Sequence, residues 1–391
     1  MIARRSLAAA RAVAAVAFLD LFMQFPTVAP YAADLGAAPG FVGVIVGAYS
    51  ASNLVGNLIA GAVLDRWGRR RPLLASLALT AAVIAAYTLA RDARELLALR
   101  VLHGLAASVL TVAAFAIMGD VTAPGSRARG MGQGGALIGA TAVIGPPLAG
   151  ILRDRAGFDA VFVTAAAVML LTLAVAWRLG RETVRHAAHL AGDAAAIRVT
   201  RPLGAAYAAV FAYTVGLGTA VTHLALMLQA AGLSGGAIGM AFGLFALVAV
   251  AVMLSPLTRA SDRYGRRRPL VTGLMLVALG LGVMGLGGIF AVAGMGIFGM
   301  GFGLVFPSAA ALVAESVAPG ERGRAFGVFY ALWSLGTVAG AGLAGVIAQV
   351  QGVITGLPFA AAAAGAVAGV PVVLRLLTPA PRAAPVSGSA R

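Results

Sequence analysis

The sequence predicts an all-α membrane protein of twelve transmembrane helices, built as two six-helix bundles related by a pseudo-two-fold axis along the membrane normal. Three observations lead to this fold class. The 391 residues are 61% hydrophobic and only 11% charged, with a mean hydropathy of +0.95, whereas a soluble domain carries about 25% charged residues. The apolar residues fall in long continuous runs, and two loop motifs occur twice in the same order.

The apolar runs set the positions of the helices. A helix needs about 20 apolar residues to cross the ~30 Å hydrocarbon core, and continuous rather than alternating runs favour helices over a barrel. The longest polar stretch, 179–203, predicts a cytoplasmic linker between an N-terminal bundle, 1–178, and a C-terminal bundle, 204–391. The predicted helices lie near 11–30, 41–64, 73–90, 95–119, 130–152, 158–178, 204–230, 237–258, 270–287, 289–314, 325–349 and 355–377.

The charge pattern indicates topology rather than a nucleic-acid partner. The formal net charge is +16, and the arginines cluster in the short loops on one side of the predicted helices. Positive loops stay in the cytoplasm, so we predict a multi-pass inner-membrane protein, a monomer, with both termini cytoplasmic. Cysteine is absent, which excludes disulfides and thiolate chemistry. With no nucleophile–base pair or metal-ligand cluster, the sequence predicts neither an enzyme nor a metal or cofactor site.

An internal repeat relates the two halves. The segment 65–73, Asp-Arg-Trp-Gly-Arg-Arg-Arg-Pro-Leu, recurs as 262–270, Asp-Arg-Tyr-Gly-Arg-Arg-Arg-Pro-Leu, at an offset of 197 residues. The segment 123–132 recurs at 318–327, offset by 195 residues, and Asp120 before it matches Glu315. Six helices per half give both halves the same orientation, which is the parallel-repeat arrangement with substrate bound between halves near the midplane.

These residues resemble the major facilitator superfamily over nearly the whole chain. The segment 61–70 is similar to the family's loop signature between helices 2 and 3, and 99–104, with Arg100 and His103, resembles its helix-4 motif. Gly145, Pro146 and Gly150 resemble the helix-5 antiporter motif. The resemblance to twelve-helix drug:proton antiporters implies proton-coupled efflux. Tetracycline exporters of that family carry an acid in helix 3, whereas 73–90 has none, so the resemblance does not extend to tetracycline itself.

The repeated loops predict a cytoplasmic gate. A carboxylate at a helix end can pair with a nearby arginine and face the positive end of a neighbouring helix dipole, which would hold one conformer shut. The alternative is that the arginines only set topology and bind anionic lipid. The predicted gate residues are Gly61, Asp65, Arg66, Gly68, Arg69, Arg70, Asp262, Arg263, Gly265, Arg266, Asp120, Arg127, Glu315 and Arg322.

Three ionisable residues fall inside the predicted hydrocarbon layer: Asp20, Arg100 and His103. At about 1.5 Å of rise per residue, Asp20 lies ~14 Å from the cytoplasmic side and His103 ~12 Å from the outside, so both are near one depth. The second half has no charge at the matching positions. We predict that Asp20 carries the proton, because burial favours its protonated form and Arg100 favours its carboxylate. The alternative is a structural Asp20–Arg100 ion pair.

Other polar side chains are weaker candidates for a substrate cavity, since each can equally serve helix–helix packing. They are Gln24, Asn53, Asn57, Tyr213, Tyr330 and Trp333. The predicted function is a secondary transporter that uses protons to export a small amphiphilic compound, with membrane lipid as its surroundings. The alternatives are a proton symporter or facilitator for a metabolite or lipid and, more remotely, a non-transporting membrane receptor.

Overall fold

The computed structural model describes residues 2–121, 127–179, 198–256, 265–318 and 321–378, and these ranges are almost entirely helical. The twelve predicted helices are confirmed. Eleven described segments are long and apolar enough to cross a membrane, and one of them, Gly135–Arg178, is 44 residues long. That segment contains two crossings, because the backbone leaves the helical conformation at Ala156 and Gly157, where Gly157 has φ 77°.

The first half contains helices α1 to α6. They are α1 Ile2–Gln24, followed by the short helix Val28–Asp34; α2 Pro39–Trp67; α3 Arg70–Ala86, followed by the 3-10 turn Tyr87–Leu89; α4 Ala93–Val121; and the segment Arg127–Leu179, which divides into α5, 127–155, and α6, 158–179.

The second half contains α7 to α12. They are α7 Arg201–Ala230, which includes a π-helical turn at Ala220–Leu224; α8 Gly235–Leu254; α9 Arg267–Met284; α10 Gly288–Glu315; α11 Arg322–Gln351; and α12 Leu357–Leu377. Most of the predicted linker, 180–197, lies outside the described residues.

Equivalent helices make equivalent contacts in the two halves. In the first half α1 packs on α4 and on the α5–α6 segment, and α2 packs on α4. In the second half α7 packs on α10 and α11, and α8 packs on α10. The repeated loop is also conformationally repeated, since Gly68 and Gly265 have φ 78° and 83°, a left-handed conformation that favours glycine. This correspondence is the pseudo-two-fold relation predicted from the sequence.

The two halves meet chiefly along two helix pairs, α2 with α11 and α5 with α8. Close approach is possible because small residues line both contacts. Gly43 of α2 lies directly against Ala341 and Gly345 of α11, and Gly239 of α8 lies against the carbonyl of Pro146 in α5. These residues occupy the ends of the helices opposite the chain termini, here called the far end; the end that carries the termini is the near end.

Candidate functional site

Asp20 of α1 and His103 of α4 face each other inside the first half. Both side chains are buried, and Asp20 Oδ2 lies 3.0 Å from His103 Nε2. The two atoms are close enough for an ion pair, although the ring N–H is not aligned on the oxygen for a hydrogen bond. The contact confirms that the two residues lie at one depth.

One helical turn further toward the far end, Gln24 and Arg100 repeat this pairing. Gln24 follows Asp20 by four residues and Arg100 precedes His103 by three, so each pair shares a helix face. Arg100 Nη1 donates to Gln24 Oε1, and Gln24 Nε2 donates to Asp20 Oδ1 over 2.7 Å. In the described part of the chain no ion pair joins Arg100 directly to Asp20; Gln24 bridges them.

Tyr87, in the turn after α3, closes the circuit. Its hydroxyl lies 3.0 Å from His103 Nδ1 and accepts from Arg100 Nη1 over 3.5 Å. The Tyr31 hydroxyl donates to the Tyr87 carbonyl over 2.6 Å, which fixes the turn. Asp20, His103, Tyr87, Arg100 and Gln24 therefore form a closed circuit of polar contacts, here called the polar ring.

The side chains of the polar ring are all buried. One carboxylate and one guanidinium cancel if the imidazole is neutral, and such balance is needed because an unpaired charge in the membrane interior is costly. A proton on His103 Nε2 suits this state, since Nδ1 is then free to accept from Tyr87. The guanidinium also lies 4.8 Å from the ring centre of Tyr49 and donates to the carbonyls of Ile45 and Val46 over 3.4 Å each.

The second half carries a cluster of aromatic rings between α7, α10 and α11. Tyr213 of α7 stacks on Phe298 and Phe302 of α10, with ring centres 5.3 and 4.8 Å apart. Trp333 of α11 lies 5.6 Å from Tyr213 and 5.9 Å from Phe302. The bundles are thus alike in backbone and different in chemistry.

The predicted gate residues lie at the near end, and three of their contacts each join residues of one half. Arg70 Nη2 donates to the carbonyl of Trp177 over 2.9 Å, with its guanidinium 5.5 Å from that indole ring. Arg266 pairs with Glu315 over 2.7 Å, and Arg322 donates to the Ala314 carbonyl over 3.2 Å.

The other predicted gate residues differ in exposure. Gly61 and Arg66 are exposed, and Arg69 is half-buried. Asp262 and Arg263 lie outside the described residues, as do the side chains of Asp65, Asp120 and Arg127.

The antiporter-type motif lies at two helix contacts. Gly145 packs against Leu19 and Phe22 of α1, within the first half. Gly150 packs against the carbonyl of Gly235 at the start of α8, across the boundary between halves. The small residues therefore allow α5 to touch both α1 and α8.

Polar groups reinforce this far-end contact between the halves. The two oxygens of Asp154, at the end of α5, each accept a backbone N–H over 2.6 Å, from Gly235 and Gly236, the first residues of α8. The adjacent Arg153 donates to Gln229 Oε1 of α7 over 2.8 Å. Neither Arg153 nor Asp154 was predicted as a site residue, because in the sequence both resemble ordinary loop charges.

The weaker cavity candidates have different environments. Gln24 belongs to the buried polar ring in this conformation. Asn53 donates to the carbonyl of Gly104 over 3.1 Å, which joins α2 to α4. Asn57 donates to Asn53 over 2.9 Å, which is a contact within α2. Tyr213 is buried, Trp333 is half-buried and Tyr330 is 51% exposed.

Two six-helix halves with equivalent helix contacts, and a carboxylate, a guanidinium and an imidazole buried together in the first half, point to a polytopic membrane transporter. The chain belongs to the Major Facilitator Superfamily, whose model matches residues 12–220 and 206–391. The family and the fold class are therefore those that the sequence motifs indicated, and the chain is a transporter rather than an enzyme.

Relatives and structures extend this comparison. The chain is similar to "Tetracycline resistance protein, class G" of Vibrio anguillarum, at 29% identity over 77% of this chain and 79% of that protein. It is also 29% identical to "Multidrug resistance protein 3" of Bacillus subtilis (strain 168), over 39% of this chain and 30% of that protein. A bacterial homolog of the human lysosomal transporter Spinster, solved in an inward-facing and occupied conformation, shares the fold with a TM-score of 0.75. That structure is 16% identical, over 95% of this chain and 94% of its own.

Proposed function

We propose that this transporter is a proton-coupled antiporter that exports small amphiphilic compounds across the cell inner membrane, with both termini in the cytoplasm and the monomer as the working unit. The observation that carries the proposal is the polar ring, which places a carboxylate, an imidazole and a guanidinium in one dry circuit. Buried ionisable groups in a membrane protein mark an ion or proton pathway by default. The drug-resistance names of the two relatives support efflux as the direction.

The ring couples proton binding to conformation through charge balance. In the present conformation Gln24 bridges Asp20 to Arg100, and His103 lies against the other carboxylate oxygen. This arrangement stabilises the carboxylate, since protonating Asp20 would leave the Arg100 charge unbalanced in a dry interior. In the proposed cycle the ring closes around the Asp20 carboxylate, and it opens when Asp20 carries the proton.

The direction of proton movement follows from which end is closed. The described contacts of α2 with α11 and of α5 with α8 include the far ends of these helices. In the proposed cycle, the proton and the substrate exchange with the near end in this conformation. With the termini cytoplasmic, Asp20 releases its proton to the cytoplasm and the cavity then takes up substrate from the same side. Rocking to the opposite conformation carries substrate out and reloads Asp20 from outside, which is alternating access by the two repeats.

The alternative with most support is a symporter or facilitator for a metabolite or lipid. An anionic metabolite would need a buried cation free to bind it, but Arg100 is fully engaged by Gln24, Tyr87 and two backbone carbonyls. This favours a cationic or apolar substrate. A non-transporting receptor would be consistent with the fold, but it would give the polar ring no role.

The test is transport in proteoliposomes driven by an imposed proton gradient. A panel of lipophilic cationic dyes and drugs is offered to wild-type protein and to the variant Asp20→Asn, which keeps the shape of the side chain without its charge. Glu95→Gln is the matched control, because it removes one carboxylate from the exposed start of α4. We expect gradient-dependent movement in wild type and in Glu95→Gln, and its loss in Asp20→Asn.

Two results would contradict the proposal. Gradient-driven movement that is equal in Asp20→Asn and wild type would remove Asp20 from coupling. Movement of no panel member by folded protein, together with movement of a metabolite or lipid, would replace export of amphiphiles by the alternative.

A further inference from the structure

We infer that the second half carries the substrate-binding wall, formed by Tyr213 of α7, Phe302 and Phe306 of α10, and Tyr330 and Trp333 of α11, and that it binds a planar aromatic cation. This set is here called the aromatic wall. The inference rests on the proposed export function and names the substrate class and the half of the protein that binds it.

The geometry of α11 shows that its aromatic residues face the space between the halves. Gly336 and Gly340 pack on α7, whereas Ala341 and Gly345 pack on α2. At about 3.6 residues per turn, Trp333 and Tyr330 fall between these two faces of the helix.

Exposure on the same helix supports this orientation. The exposed aliphatic residues of α11, Val328, Leu335 and Val346, lie on the opposite side, where lipid would be. Tyr330 is 51% exposed although it does not share that lipid-facing side. Its exposure is therefore toward the interior, below the far-end contact.

The same reasoning orients α10. Gly299 and Gly303 pack on α8, and Gly301 packs on α9. Phe302 and Phe306, four residues apart and so on one face, lie between the α8 contact and the contact of Phe298 with α7. The exposed Ile289 and Phe290 lie on the other side of the helix. Phe302 and Phe306 are both half-buried and both contact Trp333, at 5.9 and 5.8 Å between ring centres.

The chemistry of the wall selects the ligand. Aromatic faces attract cations and stack on flat rings, and α10 carries no charged residue between Gly288 and Ala314, nor α11 between Ala325 and Gln351. The hydroxyl of Tyr213 is buried and has no hydrogen-bond partner among the described residues. A ligand with an amino group on an aromatic ring would supply that partner. A flat aromatic cation satisfies all three features.

The experiment uses ethidium, a planar aromatic cation with two amino groups, and the protein's own fluorescence. The chain has three tryptophans, and Trp67 and Trp177 are both exposed. In the double variant Trp67→Phe/Trp177→Phe, Trp333 is the single reporter. Ethidium is titrated into this protein in detergent, without a proton gradient, and quenching of Trp333 is followed.

We expect saturable quenching that Phe302→Leu and Phe306→Leu each weaken by roughly 5- to 30-fold, the upper part of the range for one lost stacking or cation contact in a desolvated site. The matched control is Phe290→Leu, the same change on the lipid-facing side of the same helix, which should leave affinity within about 2-fold. Tetrabutylammonium, a cation without a ring, should not compete. Thermal unfolding of each variant in detergent verifies that the wall substitutions leave the protein folded.

Quenching that does not saturate, or that Phe290→Leu weakens as much as Phe302→Leu does, would overturn the aromatic wall. Effective competition by tetrabutylammonium would overturn the requirement for a planar ring. Because the titration needs no gradient, ethidium binding without proton-driven transport would refute the proposed antiport and keep the site. Proton-driven transport without ethidium binding at Trp333 would refute the aromatic wall and keep the proposed antiport.

Discussion

The far-end contact of Asp154 with α8 gives a prediction whose free-energy change can be estimated from the structure. The substitution is Asp154→Asn. The carboxylate accepts the N–H groups of Gly235 and Gly236, both over 2.6 Å, and these groups have no acceptor within their own helix. The next N–H, of Ala237, is already capped by Ser234 over 3.2 Å. Asp154 thus completes the cap of a helix that belongs to the other half.

Asp154→Asn is expected to shift the balance between conformers moderately. A hydrogen bond to a charged group contributes about 1.5–3 kcal/mol when buried, and a carboxylate at a helix N-terminus adds ~0.3–1 kcal/mol. Asp154 is exposed, so solvent reduces both contributions and we take ~1 kcal/mol for each bond. Asparagine keeps one acceptor oxygen and loses the charge, which removes about 1–1.5 kcal/mol and shifts the balance of conformers by roughly 5- to 13-fold.

The absence of cysteine in the chain allows clean spin labelling. Labels at Leu89→Cys and Ile354→Cys, two exposed far-end positions in different halves, report the separation of the halves by pulsed electron paramagnetic resonance. We expect Asp154→Asn to raise the separated population relative to wild type. The control is Asp92→Asn, since Asp92 caps α4 within its own half, accepting from Arg94 and Glu95. Equal distance distributions in wild type and Asp154→Asn would refute the contribution of Asp154 to the far-end contact.

Three further outcomes are expected. Tyr87→Phe removes the hydroxyl that joins the imidazole and the guanidinium of the polar ring, leaving a buried group short of a partner at a cost of about 1–3 kcal/mol. The pH profile of transport should move in Tyr87→Phe. It should stay as in wild type in Tyr207→Phe, which loses only a hydrogen bond to the backbone carbonyl of Ala325 within the second half. Gly340→Ala should lower the unfolding temperature in detergent, because the added methyl group meets the α7 backbone, whereas Gly342→Ala meets open space and should not. Gly68→Ala should lower the free energy of unfolding by about 1–2 kcal/mol, because Gly68 has φ 78° and alanine is strained there. Denaturant titration measures this change. An effect equal to that of Gly342→Ala would contradict the conformational argument.

The fold could be predicted from the sequence because its signals are long and redundant. Apolar runs of the length of a membrane, a strong arginine asymmetry and a repeated loop all indicate the same two bundles. The repeat also placed Gly68 and Gly265 in equivalent turns, where both have the same left-handed backbone. The break between α5 and α6 was placed within a few residues of Gly157, because charged residues cluster there.

The polar ring could be predicted only in part. Depth reasoning brought Asp20 and His103 to one level, and the structure places them 3.0 Å apart. The partner of Arg100 was not predictable in that way, because Gln24 is polar without being charged and reads as an ordinary packing residue. Tyr87 gave no signal, since it is one aromatic residue at the end of an apolar run and enters the ring only through the turn after α3.

The contacts between the halves could not be predicted from the sequence, for a different reason. Asp154 is one of several acids in a loop, and its role depends on where α8 begins in space. The aromatic wall likewise consists of residues that occur singly along three helices. Orienting Phe302 and Trp333 toward the interior required the packing partners of the neighbouring glycines, which only the structure provides.

The most direct test of the central claim measures the proton movement that the substrate itself drives. Proteoliposomes that contain a pH-sensitive dye are loaded with a transported cation, and the external substrate is removed with no initial pH difference. Antiport through Asp20 requires that protons enter as substrate leaves, so the interior should acidify in wild type and stay unchanged in Asp20→Asn. Interior alkalinisation as substrate leaves, which signals symport, or substrate efflux without any pH change would contradict the account.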